Sequence, residues 1–344
     1  MNWLVTGGCG FIGSNLSDAL LRDGHAVTLF DSLYRQGSDQ NLGWLRGRHG
    51  DGLRFVRGDV RDPEAVAAVV RETQPDVIAH LAGQVAMTTS LENPRLDFEV
   101  NAGGSLNVLE AARLHSPQSA VLFSSTNKVY GDLEHLRIDE QPSRYTLPNH
   151  QYGLDEDTPL DGHSPYGCSK LAADQYIRDY HRVYGLRTVV FRHSSVFGGR
   201  QFATFDQGWI GWFCQKALEA GLPGAEPFSI NGNGKQVRDV LYVDDAVAAY
   251  RAAADRLAVS AGKIYNLGGG MGNSLSLLEL FAMLEGLTGS RLQHYSLPWR
   301  MGDQKVFVAD TRRAERDLDW RPAIGREAGV RQMLEWMRSR SRDV

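Results

Sequence analysis

The sequence predicts an α/β fold with a parallel sheet at its centre, and three observations support that prediction. Strand-like apolar runs alternate with segments of helical period over residues 1–197. A glycine-rich turn follows the first run, and an aspartate ends the second. With 344 residues, of which 42% are hydrophobic, the chain is long enough to bury a large core. We therefore expect a doubly wound parallel sheet with helices on both faces.

The predicted elements follow one another in the order that such a sheet requires. The predicted strands are WLVT, AVTLFD, RFVRGD, VIAHLAG, AVLFSST and RTVVFRHSSVFG. Helices are predicted at 14–22, from residue 62, at 106–112 and at 166–184. Asp62 followed by Pro63 is a typical helix start, because the carboxylate caps free N–H groups and proline suits the first turn.

Beyond this alternating region the pattern changes twice. Residues 132–165 are polar and rich in Pro, Asp and His, which predicts a long irregular segment that is either a lid or a surface insertion. Residues 198–344 mix aromatic helix and short strand patterns. We expect a domain at 1–197, with elements returning to it from about 235–265, and a smaller mixed α/β lobe formed mainly by 198–344.

Composition excludes several classes of partner. A net charge of -4 offers no broad attraction for nucleic acid or an anionic membrane. Three cysteines without a C-x-x-C pair support neither a zinc site nor a disulfide framework. No basic leader or long apolar stretch is present. We expect a cytoplasmic protein with no metal, nucleic-acid or membrane partner.

The glycine-rich turn predicts a dinucleotide site. Gly8-Cys9-Gly10-Phe11-Ile12-Gly13 matches G-x-G-x-x-G between a strand and a helix, where glycines let the backbone approach a pyrophosphate at the helix N-terminus. Asp31 ends the second strand, where an acid binds ribose hydroxyls and repels a 2′-phosphate. NAD is therefore favoured over NADP, although Arg35 lies nearby. This context predicts a Rossmann-type sheet.

Tyr166 and Lys170 form a candidate acid–base pair. Four residues apart, they share one face of the predicted helix. A cation beside a phenol favours the phenolate, so Tyr166 can act as a base. The same spacing occurs by chance on solvated helices. The functional interpretation depends on the dinucleotide turn and on the hydroxyl cluster that ends with Thr126.

These motifs together resemble a known family. TGGCGFIG, FSSTNKVYG and YGCSK are similar to the extended short-chain dehydrogenase/reductase family, also called the NAD-dependent epimerase/dehydratase family. HSPYGCSK, FRHSSVFGGRQFAT and GNGKQVRDVL resemble its branch that epimerises CDP-linked deoxyhexoses at C2. The resemblance implies Tyr166 as acid/base, Lys170 as its electrostatic partner and ribose ligand, and Thr126 as hydrogen-bond donor to the reacting oxygen.

Two departures narrow the activity that the resemblance implies. Dehydratases of this family follow the catalytic Thr with Asp-Glu, whereas this chain has Asn127 and Lys128. Many 4-epimerases have an Asn where this chain has Ser195, and the long 132–165 segment is also unlike theirs. We expect an NAD-dependent isomerase that inverts C2 of a CDP-linked (deoxy)hexose through a 2-keto sugar. A 4-epimerase or other isomerase of UDP- or GDP-hexoses, a 4,6-dehydratase and a non-catalytic dinucleotide sensor remain alternatives.

The resemblance also implies a set of site residues and a mode of action. The expected cofactor is tightly bound NAD, regenerated in each turnover, and the expected partners are a nucleotide sugar and further copies of the chain in a homodimer or homotetramer. Arg238 and Arg300 should meet the substrate pyrophosphate. The expected cofactor-binding residues are Gly7, Gly10, Phe11, Ile12, Gly13, Asp31, Arg35, Asp59, Val60, Leu81, Ala82, Gly83, Asn101, Ser124, Tyr166, Lys170 and His193. The expected substrate-binding residues are Gln84, Thr88, Thr126, Asn127, Ser195, Arg200, Arg238, Arg300 and Asp303.

Overall fold

A computed structural model describes residues 1–299 and 302–340. Its strands are β1 Asn2–Thr6, β2 Ala26–Asp31, β3 Leu53–Arg57, β4 Val77–His80, β5 Ala120–Thr126, β6 Asp139–Glu140, β7 Tyr145–Thr146, β8 Arg187–His193, β9 Ser195–Phe197, β10 Phe228–Asn231, β11 Val237–Tyr242, β12 Lys263–Leu267, β13 Ser274–Ser276, β14 His294–Leu297 and β15 Val306–Phe307. Its helices are α1 Phe11–Arg22, α2 Ser38–His49, α3 Pro63–Thr73, α4 Met87–Glu92, α5 Pro94–Phe98, α6 Gly104–His115, α7 Ser164–Tyr184, α8 Trp209–Glu219, α9 Val243–Asp255, α10 Leu257–Ser260, α11 Leu277–Thr288, α12 Arg312–Leu318 and α13 Arg326–Arg340.

The predicted doubly wound sheet is confirmed. Seven strands pair in the order β12-β8-β5-β4-β1-β2-β3, and every pair is parallel. Neighbouring residues of β5 face opposite sides, since Leu122 and Phe123 belong to separate hydrophobic clusters. Helices cover both faces, which explains why the strands are continuous apolar runs. The strand order reverses between β1 and β4, where folds of this kind bind ligands at the carboxyl ends of the strands.

One predicted strand proved to be two. RTVVFRHSSVFG was expected as a single strand, but Ser194 separates β8 from β9. The Ser194 hydroxyl donates to the buried carboxylate of Asp239, and the chain then leaves the large sheet. β9 pairs with β11 in a second, smaller sheet. The break at Ser194 is therefore where the chain passes from one lobe to the other.

The second lobe consists of β9, β11, β13 and β15 with the β10-β14 pair and α8, α11 and α13. The chain returns through α9 and α10 to β12 at the edge of the large sheet. The division of labour between the lobes, with cofactor on 1–197 and substrate mainly on 198–344, stays a prediction.

The 132–165 segment packs against the second lobe. Leu133 and Leu154 are buried in one cluster with Phe307. The N–H of Leu154 donates to the carbonyl of Val308 at 2.8 Å, and that of Tyr145 to the carbonyl of Lys235 at 2.9 Å. These contacts favour neither a detached lid nor a loose insertion, because the segment contributes to a core. Within 1–299 and 302–340, no helix is long and apolar enough to cross a membrane.

Candidate active site

The glycine turn packs tightly against the end of β4. Gly7 has φ +69°, and a Cβ added there would lie 2.6 Å from the backbone nitrogen of Ala82. A Cβ at Gly13 would lie 2.2 Å from the carbonyl oxygen of Gly7. No side chain caps the N–H groups of the first turn of α1, which starts at Phe11. The turn therefore leaves backbone donors open toward a phosphate, as a dinucleotide requires.

Asp31 stabilises this turn from the end of β2. Its two carboxylate oxygens accept hydrogen bonds from the N–H of Cys9 at 2.9 Å and the N–H of Leu33 at 2.8 Å. Burial raises the pKa of Asp31, and these two bonds oppose the increase. An ionised carboxylate offers about four acceptor positions, so two remain for ribose hydroxyls. The residues present fit NAD.

The other predicted cofactor residues near the glycine turn differ in whether their polar groups already have partners. Asp59 is engaged by Arg61, whose guanidinium lies 2.7 Å away and lowers the pKa of that carboxylate. The carbonyl of Val60 accepts a hydrogen bond from Asn107 at 2.9 Å. Arg35 has a buried guanidinium nitrogen without a hydrogen-bond partner in the described part of the chain. Burial lowers the pKa of Arg35, and Asp206 opposes the decrease.

Asn101 connects the loop after β4 to the catalytic helix α7. Its amide oxygen accepts from the N–H of Gln84 at 3.0 Å, and its amide nitrogen donates to the carbonyl of Gln84 at 3.0 Å and to Ser169 at 3.1 Å. A Cβ at Gly83 would lie 3.8 Å from the Lys170 ammonium. The Leu81–Gly83 stretch therefore lies between the glycine turn and Lys170. Asn101 holds the loop after β4 against α7, and both its amide oxygen and its amide nitrogen are engaged in these hydrogen bonds.

The three predicted catalytic residues meet at the carboxyl end of β5. Tyr166 is hydrogen-bonded to Thr126. The Lys170 ammonium donates to the carbonyl of Ser124 at 2.5 Å and lies 4.2 Å from the ring centroid of Phe123. Burial raises the pKa of Tyr166 to about 12 and lowers that of Lys170 to about 7.

Thr126 and Tyr166 open into a cavity of about 200 Å³. Its wall includes Phe11 and Ile12 of the glycine turn, Ser124, Thr126, Tyr166, His193 and Ser195. Burial and the nearby Lys170 charge lower the pKa of His193 to about 3, so the ring is neutral. Its Nε2 lies 3.1 Å from the Tyr250 hydroxyl. The cavity thus joins the cofactor turn to a phenol, a hydroxyl and a neutral imidazole.

Among the predicted substrate ligands in the described residues, Thr126 and Ser195 line this cavity. Three others have partners elsewhere. Gln84 donates to Asp97 and to the Ala86 carbonyl, both at 2.8 Å, so it braces its own loop. Thr88 donates to Asp206 at 2.9 Å. Arg200 has φ +69°, and its guanidinium lies 4.3 Å from the ring centroid of Trp44. The left-handed turn at Arg200 places its side chain against α2. Arg300 lies outside the described residues.

The remaining predicted ligands lie beside residues that the prediction missed. The Asn127 amide donates to Gln304 at 3.1 Å, and Gln304 is fully buried. Arg238 donates to Asp303 at 2.8 Å. The Lys128 ammonium lies 3.7 Å from the same Asp303 oxygen. The Asn127-Lys128 pair was the only sequence signal for Lys128. Gln304 gave none, because its role depends on a contact between distant segments.

A cation cluster, defined as Lys128, Arg238 and Asp303, therefore stands near the catalytic residues. Arg238 lies on β11 of the second lobe, and Lys128 follows β5 of the large sheet. Burial lowers the pKa of Arg238, and Asp303 opposes the decrease. The cluster contains two cations and one anion, which suits an anionic ligand.

Comparisons with known proteins agree with this geometry. The model of the "NAD dependent epimerase/dehydratase family" matches residues 3–268. CDP-paratose 2-epimerase from Salmonella typhi is 50% identical over 339 residues, covering 98% of this chain and 100% of that protein. The structure of UDP-glucose 4-epimerase from Thermotoga maritima with UDP-glucose has a TM-score of 0.85 at 29% identity, covering 99% of this chain and 100% of that one.

A further solved structure bears on the cofactor. UDP-glucose 4-epimerase from Thermus thermophilus, in complex with NAD, has a TM-score of 0.80 at 30% identity, and the match covers 98% of this chain and 99% of that one. The expected cofactor and family are thereby confirmed. The chain belongs to the NAD dependent epimerase/dehydratase family.

Proposed function

We propose that this protein is a nucleotide-sugar epimerase that retains NAD and inverts C2 of a CDP-linked (deoxy)hexose such as CDP-paratose. The observation that carries the proposal is the meeting of Thr126, Tyr166 and Lys170 beside a dinucleotide turn, with Asn127 and Lys128 in place of a carboxylate pair. The 50% identity to a CDP-paratose 2-epimerase supports the substrate class.

The chain's own residues supply the proton chemistry. Bound NAD supplies reversible hydride acceptance at a carbinol carbon. Tyr166 takes the hydroxyl proton of the substrate, and Thr126 donates a hydrogen bond to the reacting oxygen. Burial raises the pKa of Tyr166 to about 12, and the hydrogen bond with Thr126 opposes the increase. The proposed role of Lys170 is to favour the phenolate during the reaction, because a cation beside a phenol stabilises its charged form.

The residues after Thr126 separate this reaction from elimination. Loss of water needs an acid for the leaving hydroxyl and a base for the C–H bond. The Asn127 amide is bonded to Gln304, and Lys128 carries the opposite charge from a carboxylate. The site therefore keeps the machinery for oxidation and reduction of a hydroxyl, and a ketone that turns over before it is reduced gives an epimer.

A 4-epimerase of UDP- or GDP-hexoses is the second candidate. The T. maritima enzyme with UDP-glucose has the same fold over almost the whole chain. Ser195 weighs against this candidate, because many 4-epimerases have an Asn at that position. In this chain the Ser195 hydroxyl accepts a hydrogen bond from the Trp209 indole at 3.0 Å. The second-lobe packing of the 132–165 segment is a further departure.

A substrate panel tests the two candidates directly. CDP-, UDP- and GDP-hexoses should be incubated with the purified protein without added NAD, and the products examined by NMR. We expect C2 epimers of a CDP-linked sugar and NAD that copurifies with the protein. A C4 epimer of a UDP- or GDP-sugar would establish the second candidate. A 6-deoxy-4-keto product, or activity strictly proportional to added NAD, would contradict both.

The state of assembly and the location of the protein remain predictions. We propose a homodimer or homotetramer in the cytoplasm. Light scattering of the purified holoenzyme would show the number of subunits, and a monomer at micromolar concentration would contradict the proposal.

A further inference from the structure

We propose that Lys128 binds the diphosphate of the nucleotide-sugar substrate together with Arg238. The inference rests on the proposed function, because it assumes a nucleoside diphosphate as the substrate's anchor. It assigns a substrate contact to a position that holds a carboxylate in dehydratases and an ammonium in this chain.

The position of Lys128 ties the proposed anchor to the reacting centre. Lys128 lies on the short turn Asn127–Tyr130 that follows Thr126. Its backbone N–H donates to the Thr126 hydroxyl oxygen at 3.2 Å. Its side chain runs to the segment after the second-lobe strand β14, where the ammonium donates to the carbonyl of Gly302 at 3.2 Å. One residue therefore touches both the catalytic hydroxyl and the substrate side.

The charges around Lys128 do not balance within the cation cluster. Asp303 is the acid that both cations share, at 2.8 Å from Arg238 and 3.7 Å from Lys128. The exposed fractions of the three side chains are 16% for Lys128, 12% for Arg238 and 22% for Asp303. Two further carboxylates act on these cations, Asp132 on Lys128 and Asp239 on Arg238. Asp132 is engaged by His163 and Asp239 by Ser194, so an anion that joins the cluster would complete the partners of its two cations.

The donors left on the cluster suit a diphosphate. An ammonium has three N–H donors, of which the Gly302 carbonyl takes one, and the Asp303 contact is too long for a strong hydrogen bond. Burial, followed by Arg238, lowers the pKa of Lys128 to about 8, so most molecules are charged at neutral pH. A guanidinium fork beside a point charge is a usual arrangement around phosphate oxygens.

An anchor at this place also fits the reaction. After oxidation the sugar must present its other face to the same hydride donor, while the nucleotide stays bound. Diphosphate contacts from Lys128 on the large sheet and Arg238 on the second lobe would hold the substrate across the cleft during that rotation. The sugar would be the only part that moves.

The test is the affinity of the holoenzyme for nucleoside diphosphates. Lys128→Met removes the charge and keeps most of the length, and CDP, UDP and CMP are titrated by calorimetry. We expect CDP and UDP to bind about 10- to 150-fold more weakly, from the loss of one charge-assisted hydrogen bond. CMP, with one phosphate fewer, should lose less. Lys128→Arg should retain most of the affinity.

A matched control removes a similar ion pair elsewhere. Lys263 pairs with Asp317 at 2.9 Å outside the cavity, so Lys263→Met should leave all three affinities unchanged. Unchanged CDP and UDP affinities in Lys128→Met would overturn the proposal. The proposal would also be overturned if Lys128→Met weakened binding of the sugar nucleotide and not of CDP or UDP, because Lys128 would then contact the sugar.

The unmodified protein provides the second test, in case Lys128→Met does not fold. CDP affinity should fall as the pH rises through about 8, because the ammonium loses its charge there, whereas an arginine side chain keeps its charge in proteins. Arg238, Asp303 and Asp132 are the charged groups that act on Lys128. A flat profile from pH 7 to 9 would overturn the proposal. If the wild type binds neither CDP nor UDP, the proposed function itself fails, which is a separate result.

Discussion

The cofactor side and the substrate side of the cavity are built by different means. On the cofactor side the surface is mainly backbone, and both oxygens of its carboxylate, Asp31, are engaged by backbone N–H groups. The proposed substrate side consists of charged side chains from three distant segments, Lys128, Arg238 and Asp303. The shape of the glycine turn is determined by a short stretch of chain. The cation cluster forms only when distant segments come together in the folded protein.

This difference explains how relatives share a fold and differ in substrate. The glycine turn tolerates little change, since a Cβ at Gly7 or Gly13 would collide with backbone. A single substitution in the cation cluster changes the charge that a substrate meets without touching the sheet. The T. maritima neighbour, at 29% identity and a TM-score of 0.85, shows how far sequence can diverge on this backbone. Changes on the two sides should therefore have separable effects.

The largest effect is expected at Tyr166, which lies between the two sides. Tyr166→Phe removes the acid–base hydroxyl, so kcat should fall about 10²–10⁴-fold while CDP and NAD still bind. Steady-state kinetics and calorimetry of the holoenzyme measure both quantities. Tyr176→Phe, on the exposed outer part of the same helix, is the control. Near-full activity of Tyr166→Phe would refute the proposed mechanism.

A cofactor-side change should affect NAD and spare the substrate anchor. Asp31→Ala removes charge-assisted hydrogen bonds worth about 1.5–3 kcal/mol each, which is about 10- to 150-fold in NAD affinity for one bond. The NAD retained after dialysis, and its affinity by titration, should both decrease, while CDP affinity stays within a few-fold. Asp23→Ala, which removes a surface ion pair with Arg251, should change neither. Unaltered NAD retention in Asp31→Ala would contradict the ribose contact.

A buried histidine behind the cavity should affect the pH dependence of stability. His80 is fully buried beneath Lys170, and burial followed by that charge lowers the pKa of His80 to about 3. Below its ordinary pKa of about 6.5, the unfolded chain binds a proton that the folded protein does not. Stability should therefore fall toward acid, by up to about 1.4 kcal/mol per pH unit for this residue.

Urea unfolding at several pH values measures that slope. His80→Asn should reduce the slope between about pH 4.5 and 6, whatever its effect on stability at neutral pH. The exposed residue His135 provides the control, because His135→Asn should leave the slope as in the wild type. Equal slopes in His80→Asn and the wild type would mean that His80 is protonated in the folded state.

The same difference between the sides explains what the sequence predicted well. The sheet follows from continuous apolar runs, because strands covered on both faces need them. The glycine turn and the Tyr166–Lys170 pair were visible because each is a local motif whose residues are close in the chain. Thr126 was added through the family resemblance, and it lies at the end of β5.

The substrate side could not be predicted in the same way. The grouping of Lys128 with Arg238 and Asp303 brings Lys128 beside residues more than a hundred positions away in the chain, and no periodicity records that contact. The left-handed backbone of Arg200 and the contact of its guanidinium with Trp44 were likewise not predicted. The substrate contact expected of Arg200 stays a prediction. The break at Ser194 was missed because it depends on the buried Asp239 of another strand.

The arrangement of the two sides leads to a final prediction, which is that no solvent deuterium enters the product. The substrate is held at the cation cluster while its C2 hydrogen is removed and returned at the Tyr166 end of the cavity. A carbinol C–H without an adjacent carbonyl is too weak an acid for a side chain to ionise, so the hydrogen must leave and return without passing through water. Epimerisation in D₂O should therefore give a product without carbon-bound deuterium, and a substrate deuterated at C2 should keep its label and react more slowly. Lys128→Met should weaken binding and still retain the label, because the anchor takes no part in the hydrogen transfer. NMR and mass spectrometry of the product measure both results. Deuterium from solvent appearing at C2 in step with turnover would mean that a carbon base acts at this site, and the division between an anchoring side and a redox side would then be wrong.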